Sequence, residues 1–108
     1  MIKLVDHLPN KPSALAIARQ IIRSATSIGA NYRAACRAKS VPDFINKLKI
    51  VEEEADETLY WLEILEESSL IQKEKLSSLV KETNEILSII VASINTTKKN
   101  LKTNLPKS

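Results

Sequence analysis

The sequence predicts an all-α fold, an up-and-down antiparallel four-helix bundle with a shortened first helix. Three observations lead there. The 108-residue chain has one Gly, four Pro and 4% aromatic residues against 44% hydrophobic and 27% charged positions, a composition of helix formers rather than of strands and turns. Apolar residues recur at three- and four-residue steps through three long windows, the period of amphipathic helices. The prolines fall at the edges of those windows, where helices start and stop. The length supports one domain with a single core.

The first helix covers Met1 to Leu8, with Ile2, Leu4, Val5 and Leu8 on one face. Pro9 and Pro12, in L-P-N-K-P-S, break it, because proline lacks an amide donor and restricts the residue before it. The second helix runs from Ser13 to Ala38. Its expected core face is Ala14, Ala18, Ile21, Ile22, Ala25, Ile28, Tyr32 and Cys36. Gly29 inside it costs roughly 1 kcal/mol against alanine, so the sequence predicts a close helix contact there. Ser40-Val41-Pro42-Asp43 is a helix start: a capping hydroxyl, a proline in the first turn and an acid at the positive end of the dipole. The third helix carries Phe44, Leu48, Val51, Ala55, Leu59, Leu62 and Leu65 on one stripe and ends near Ser68 or Ser69. The fourth begins around Gln72 or Lys73 with a stripe of Leu76, Leu79, Val80, Thr83, Ile86, Leu87, Ile90, Ile94 and Leu101. Residues 1–101 form the bundle domain and 102–108 a basic tail, and the basic stretch from Lys98 to Ser108 is expected to fray. There is no internal repeat and no low-complexity segment.

The net charge of +3 conceals blocks of opposite sign. Residues 1–39 carry seven Lys and Arg against one Asp, residues 40–67 two Lys against nine acids, and residues 68–108 seven Lys against three Glu. Such blocks predict helices that pair by charge, leaving a basic remainder for an anionic partner. No apolar run approaches the ~20 residues needed to cross a bilayer, and no signal peptide is recognisable at the start. The single Cys36 excludes an internal disulfide and a Cys-based zinc site. Together these point to a cytoplasmic protein without membrane contact.

The stretch V-E-E-E-A-D-E-T-L-Y-W-L-E, Val51 to Glu63, organises the functional reading. At ~100° per residue, Ile50, Glu54, Glu57, Trp61 and Ile64 form a second stripe well away from the core stripe. A monomeric bundle has no reason to place Trp and two Ile outside, so this stripe is expected to be an oligomer interface whose carboxylates need cationic partners. The second helix offers them. Arg19, Arg23, Arg33 and Arg37 align with Ala16, Thr26, Ala30 and Ala34 opposite its core face, and with Lys39 they are candidate contacts for phosphate or carboxylate groups. The plainer reading is a solvated basic face.

Catalysis finds little support. A di-metal carboxylate bundle needs Glu-x-x-His pairs, and the only histidine is His7, expected at the surface. Glu53 and Glu57, at i and i+4, form at best a weak hard-cation pair. Cys36 has no nearby His and is expected to be buried in packing rather than nucleophilic. Neither a cofactor nor a metal is expected. The cations at Arg19 to Lys39 and at Lys98, Lys99, Lys102 and Lys107 have no aromatic platform among them, so nucleic-acid contact would be backbone-directed and salt-sensitive.

The run R-S-A-T-S-I-G-A-N-Y-R-A-A-C-R-A-K-S, Arg23 to Ser40, and then F-I-N-K-L-K-I-V-E-E-E-A-D-E-T-L-Y-W-L-E, Phe44 to Glu63, resembles the bacterial four helix bundle protein family, related to the protein encoded in intervening sequences of 23S ribosomal RNA genes. The resemblance extends from Leu8-Pro9 to Thr97–Asn100. It implies a ring-like homopentamer of antiparallel four-helix bundles. It also implies kinship with basic pentamers that accompany a reverse transcriptase and nucleic acid in diversity-generating retroelements. Ser27, Asn31, Arg33, Ser40, Glu54, Glu57 and Trp61 fall on signature positions of the family. The family's first helix is normally several turns longer. The resemblance therefore implies either a start upstream of Met1 or a neighbouring chain over the exposed edge of the core.

The resulting expectation is a non-enzymatic homo-oligomeric scaffold or adaptor whose basic surfaces contact an RNA or DNA backbone or an acidic protein. The first alternative is a purely structural protein-partner module without nucleic-acid binding. The second is a metal-dependent carboxylate enzyme.

Overall fold

The computed structural model describes residues 1–104, with side chains through Leu101. The regular structure of the described chain is all helical: α1 (Ile2–Asp6), α2 (Pro12–Cys36), α3 (Val41–Ser68) and α4 (Lys73–Asn104). It is an all-α four-helix bundle in which α1 is a single short helix. The predicted eight-residue first helix is therefore shorter than expected, because the amides of His7 and Leu8 turn to the carbonyls of Leu4 and Val5 and Pro9 follows.

Each long helix starts where its residues dictate. Lys11 is extended, and Pro12 takes the first helical position of α2, where its missing amide costs nothing. Ser40 is extended, and its Oγ accepts from the Asp43 amide at 3.1 Å, while Asp43 lies in the first turn of α3. Ser40→Ala is expected to cost about 1 kcal/mol, measurable by urea unfolding as a lower midpoint at unchanged slope. α3 stops at Ser69, which adopts the left-handed conformation with φ 58°, a helix-ending geometry more usual for glycine or asparagine. α4 continues to Asn104, so the first three residues of the predicted tail are helical. Residues 105–108 lie outside the described ones.

α3 is the central element. It packs along α2 on one side and α4 on the other, whereas α2 and α4 do not pack along each other. Connectivity makes α2 and α4 run in the same direction, antiparallel to α3. One core cluster joins all four helices through Leu4, Ile17, Ile21, Leu62, Leu65 and Leu76. A second lies at the other end, made of Ala35, Ile45, Leu48, Val51, Ile90 and Ile94. The molecule measures 61 × 22 × 17 Å with a radius of gyration of 16.8 Å, above the roughly 13 Å of a compact chain this long.

The α3 stripe is as read from sequence: Leu48, Val51, Ala55, Leu59, Leu62 and Leu65 are buried, and Phe44 is half-buried. In α4, Leu76, Thr83, Ile90 and Ile94 are buried, but Leu101 is 40% exposed. The α2 expectation needs correction. Ile22 and Tyr32 are 40% and 52% exposed, and Cys36 is exposed rather than buried. The inward face is instead Ala14, Ile17, Ala18, Ile21, Ser24 and Ala35. The reason is geometric: α2 packs along α3 and not along α4, so its inward face turns toward α3 and the outer edge of the predicted stripe is left exposed. Gly29, predicted to mark a close contact, has open space around its α-carbon.

Candidate functional site

Two groups of side chains stand out once the helices are in place. The first joins α2 to α3. Arg23 lies one turn below Ser27 on α2, and Glu54 and Glu57 lie one turn apart on α3. The guanidinium approaches Glu54 at 3.3 Å and pairs directly with Glu57. The Trp61 Nε1–H donates to the Glu57 carboxylate at 3.4 Å, and the Trp61 ring meets Tyr60 edge-on with centroids 4.9 Å apart. Beneath this network the buried hydroxyls of Ser24 and Thr58 lie 2.8 Å apart. Each also reaches a carbonyl of its own helix, Ile21 and Glu54. Asn31 donates to the Ser27 carbonyl and hydroxyl at 2.9 and 3.0 Å.

Hydrogen bonding from Arg23 holds the Glu57 carboxyl below its ordinary value, against a smaller opposing effect of desolvation and with help from Trp61. The same hydrogen bond, with Glu57 as acceptor, raises Arg23. A carboxyl with a lowered folded-state pKa adds stability at pH above the unfolded value, about 4.3, and loses it as pH falls through the folded value. The melting temperatures of the wild type and Glu57→Gln are therefore expected to differ most near neutral pH and to converge in acid. Thermal scans across a pH series check this.

The second group is the end of the bundle where α2 and α4 finish and α3 begins. Ile94 packs there against Ala35 and Ile45, which brings Arg33, Arg37 and Lys39 to the same end as Lys98. All four are exposed. Among the described residues Arg33, Arg37 and Lys39 enter no ion pair, and Arg19, also exposed and unpaired, stands near the opposite end. Tyr32, expected in the core, is exposed beside Arg33, a single ring rather than a stacking platform.

The sequence-predicted residues thus divide. The structure brings Arg23, Glu54, Glu57 and Trp61 together within one chain, while Arg33, Arg37 and Lys39 gather at the bundle end. Ile50, Glu54, Glu57, Trp61 and Ile64 are all half-buried, and Trp61 and Ile64 pack against the first core cluster. Glu53 is exposed, and Glu57 is engaged by Arg23. Among the described residues no group of three His, Cys, Asp or Glu is placed to hold a metal. His7 is exposed, its Nδ1 2.6 Å from the Lys3 carbonyl. The Ser24–Thr58 pair went unread in the sequence, although Thr58 sits three residues after Ala55 and four before Leu62, on the core stripe. No described helix is long and apolar enough to cross a membrane.

These features define a small all-α helical-bundle module. The chain belongs to the 23S rRNA-intervening sequence protein family, which it matches over residues 1–92. It is also similar to a protein of unknown function from the S23 ribosomal protein family of Bacteroides thetaiotaomicron VPI-5482, with 42% identity, 86% of each chain covered and a TM-score of 0.80. No curated protein matches the chain.

Proposed function

We propose that this chain is a non-enzymatic, homo-oligomeric scaffold whose basic end engages the phosphate backbone of nucleic acid. The observation that carries the reading is the contrast between Arg23, neutralised by two carboxylates of its own chain, and Arg33, Arg37 and Lys39, exposed together without acidic partners among the described residues. Cations near helix C-termini also complement the helix dipole, which accounts for Arg33 and Arg37. Lys39 lies beyond α2, at the positive start of α3, where the dipole gives it no such reason to be. Family membership supports assembly: the resemblance implies a pentamer, and the half-buried stripe of Ile50, Trp61 and Ile64 on α3 is the proposed contact between copies. Five copies would multiply the field of the basic ends.

Two measurements test this. Light scattering is expected to give about five times the 12.1 kDa chain mass, and Trp61→Ala with Glu57→Ala is expected to lower it. An unchanged mass removes the α3 stripe as the interface. A mobility assay with an RNA duplex across a salt series is expected to show binding that weakens linearly in log–log form. Absence of binding at low salt removes the nucleic-acid role and leaves a protein-partner module.

A further inference from the structure

We propose that the outward face of α3 in one copy of the chain is covered by the outward face of α2 in the next copy, in a head-to-tail contact. This rests on the homo-oligomeric reading above and supplies what that reading leaves open, the surface that meets the α3 stripe.

A closed ring of more than two copies cannot pair a surface with itself. Its contact is heterologous, one patch on each copy meeting a different patch on the next, so an interface on α3 needs a second, unlike face on the same chain. The charge blocks say where that face is. Residues 1–39 are basic and residues 40–67 acidic, yet among the described residues α2 and α3 of one chain pair only through Arg23 with Glu54 and Glu57. Glu53, Asp56, Glu63 and Glu67 on α3 enter no ion pair among the described residues, nor does Arg19 on α2. All five are exposed.

Both helices carry a second seam. On α2, Ala16, Arg19, Arg23, Thr26 and Ala30 follow one another at alternating steps of three and four, and every one is exposed. They lie on the far side of the helix from the buried Ala14, Ile17, Ile21 and Ser24. On α3, Ile50, Glu53, Glu57, Tyr60, Ile64 and Glu67 step in the same way, exposed or half-buried, behind the buried Val51, Ala55, Leu59 and Leu62. That rhythm keeps a line of side chains along one face, where a neighbouring helix packs. The seams lie away from α1, whose Leu4 joins the core cluster of Ile17, Ile21, Leu62, Leu65 and Leu76.

The two seams are alike in length, about 21 Å from Ala16 to Ala30 and about 26 Å from Ile50 to Glu67, and unlike in content. α2 sets small side chains between arginines, and α3 sets larger apolar ones between carboxylates. Packing α3 on α3 would bring carboxylates together, and α2 on α2 arginines, whereas α2 on α3 sets opposite charges against each other and small side chains against large. Each copy therefore carries both halves of the contact. The α2 seam stops just short of Arg33, which leaves the basic end of the bundle free for nucleic acid.

Light scattering of paired charge reversals at low salt tests this. Arg19→Glu with Thr26→Glu makes the α2 seam acidic, and Glu53→Arg with Glu67→Arg makes the α3 seam basic. All four positions are exposed, so both variants should keep the wild-type circular dichroism. Reversal is needed because losing one exposed ion pair changes little, whereas like charges set face to face repel. Each variant alone is expected to fall to the 12.1 kDa mass of one chain. An equimolar mixture of the two is expected to reassemble, and the four substitutions in one chain to restore the wild-type mass. Ala30→Trp, which adds bulk to the α2 seam without charge, is expected to lower the mass as well. An α2 variant that keeps the wild-type mass while the α3 variant loses it overturns the proposal in favour of another surface against α3. Variants that stay apart when mixed overturn the pairing of these two seams. A wild type with the mass of one chain removes the homo-oligomeric reading and this inference with it; a wild type that assembles, with variants that assemble equally, removes this inference alone.

Discussion

Replacing Leu62 with alanine is expected to lower the unfolding free energy by about 2–5 kcal/mol, a large share of the roughly 5–15 kcal/mol available to a domain of this size. Leu62 is fully buried in α3, in the cluster that takes Leu4 from α1, Ile17 and Ile21 from α2 and Leu76 from α4. A cavity there is lined by every helix, and α3, packed on two sides, cannot collapse toward one neighbour without leaving the other. Ile89→Ala provides the contrast. Its side chain is mostly exposed, so the same kind of truncation should change stability by no more than about 0.5 kcal/mol. Urea unfolding of the two variants, followed by circular dichroism, separates the two results.

Reversing charge at the basic end, with Arg33→Glu, Arg37→Glu and Lys39→Glu together, is expected to abolish binding to nucleic acid while leaving the fold intact, because all three side chains are exposed. If each cation neutralises one phosphate, the three account for about 2.7 units of the log–log salt slope on a B-form duplex, so binding that rests on them falls about 40-fold between 50 and 200 mM salt. Neutral replacement of the same residues should reduce the slope by a similar amount without regard to sequence. Arg19→Ala, at a distance from the cluster, should change little. Comparable losses from Arg19 and from the cluster would spread the contact over the whole of α2 rather than its end.

The fold was legible in the sequence wherever one residue had one physical reason to be where it is. Ser40, Pro42 and Asp43 announce the start of α3, and its core stripe has a single seven-residue rhythm. α2 was harder because two apolar paths run side by side along it. Ile21 and Ile28 belong to the inner one, Ile22 and Tyr32 to the outer, and composition gives no way to tell which path meets α3. The polar register pins, Ser24 and Thr58, decide that rotation, and hydroxyls on a core stripe are easily taken for tolerated surface residues. At the candidate site, the chemistry of Glu54, Glu57 and Trp61 predicted an Arg partner. That Arg23 of the same chain supplies it depends on the packing angle of α2 on α3, which no local pattern encodes. The clustering of Arg33, Arg37, Lys39 and Lys98 is likewise a product of helix lengths and chain reversal.

Because α2 and α4 meet mainly through α3, the molecule has a hierarchy of opening as well as a shape. Amides in the middle of α3, around Val51 to Leu62, exchange with solvent only when both flanking helices let go, and so report the global unfolding free energy. The last turns of α4, past Ile94, run beyond the second core cluster and can fray without disturbing either flank. Hydrogen exchange should therefore rank the helices from the spine outward, with α3 slowest and the distal end of α4 fastest, and the two flanks should open as separate units.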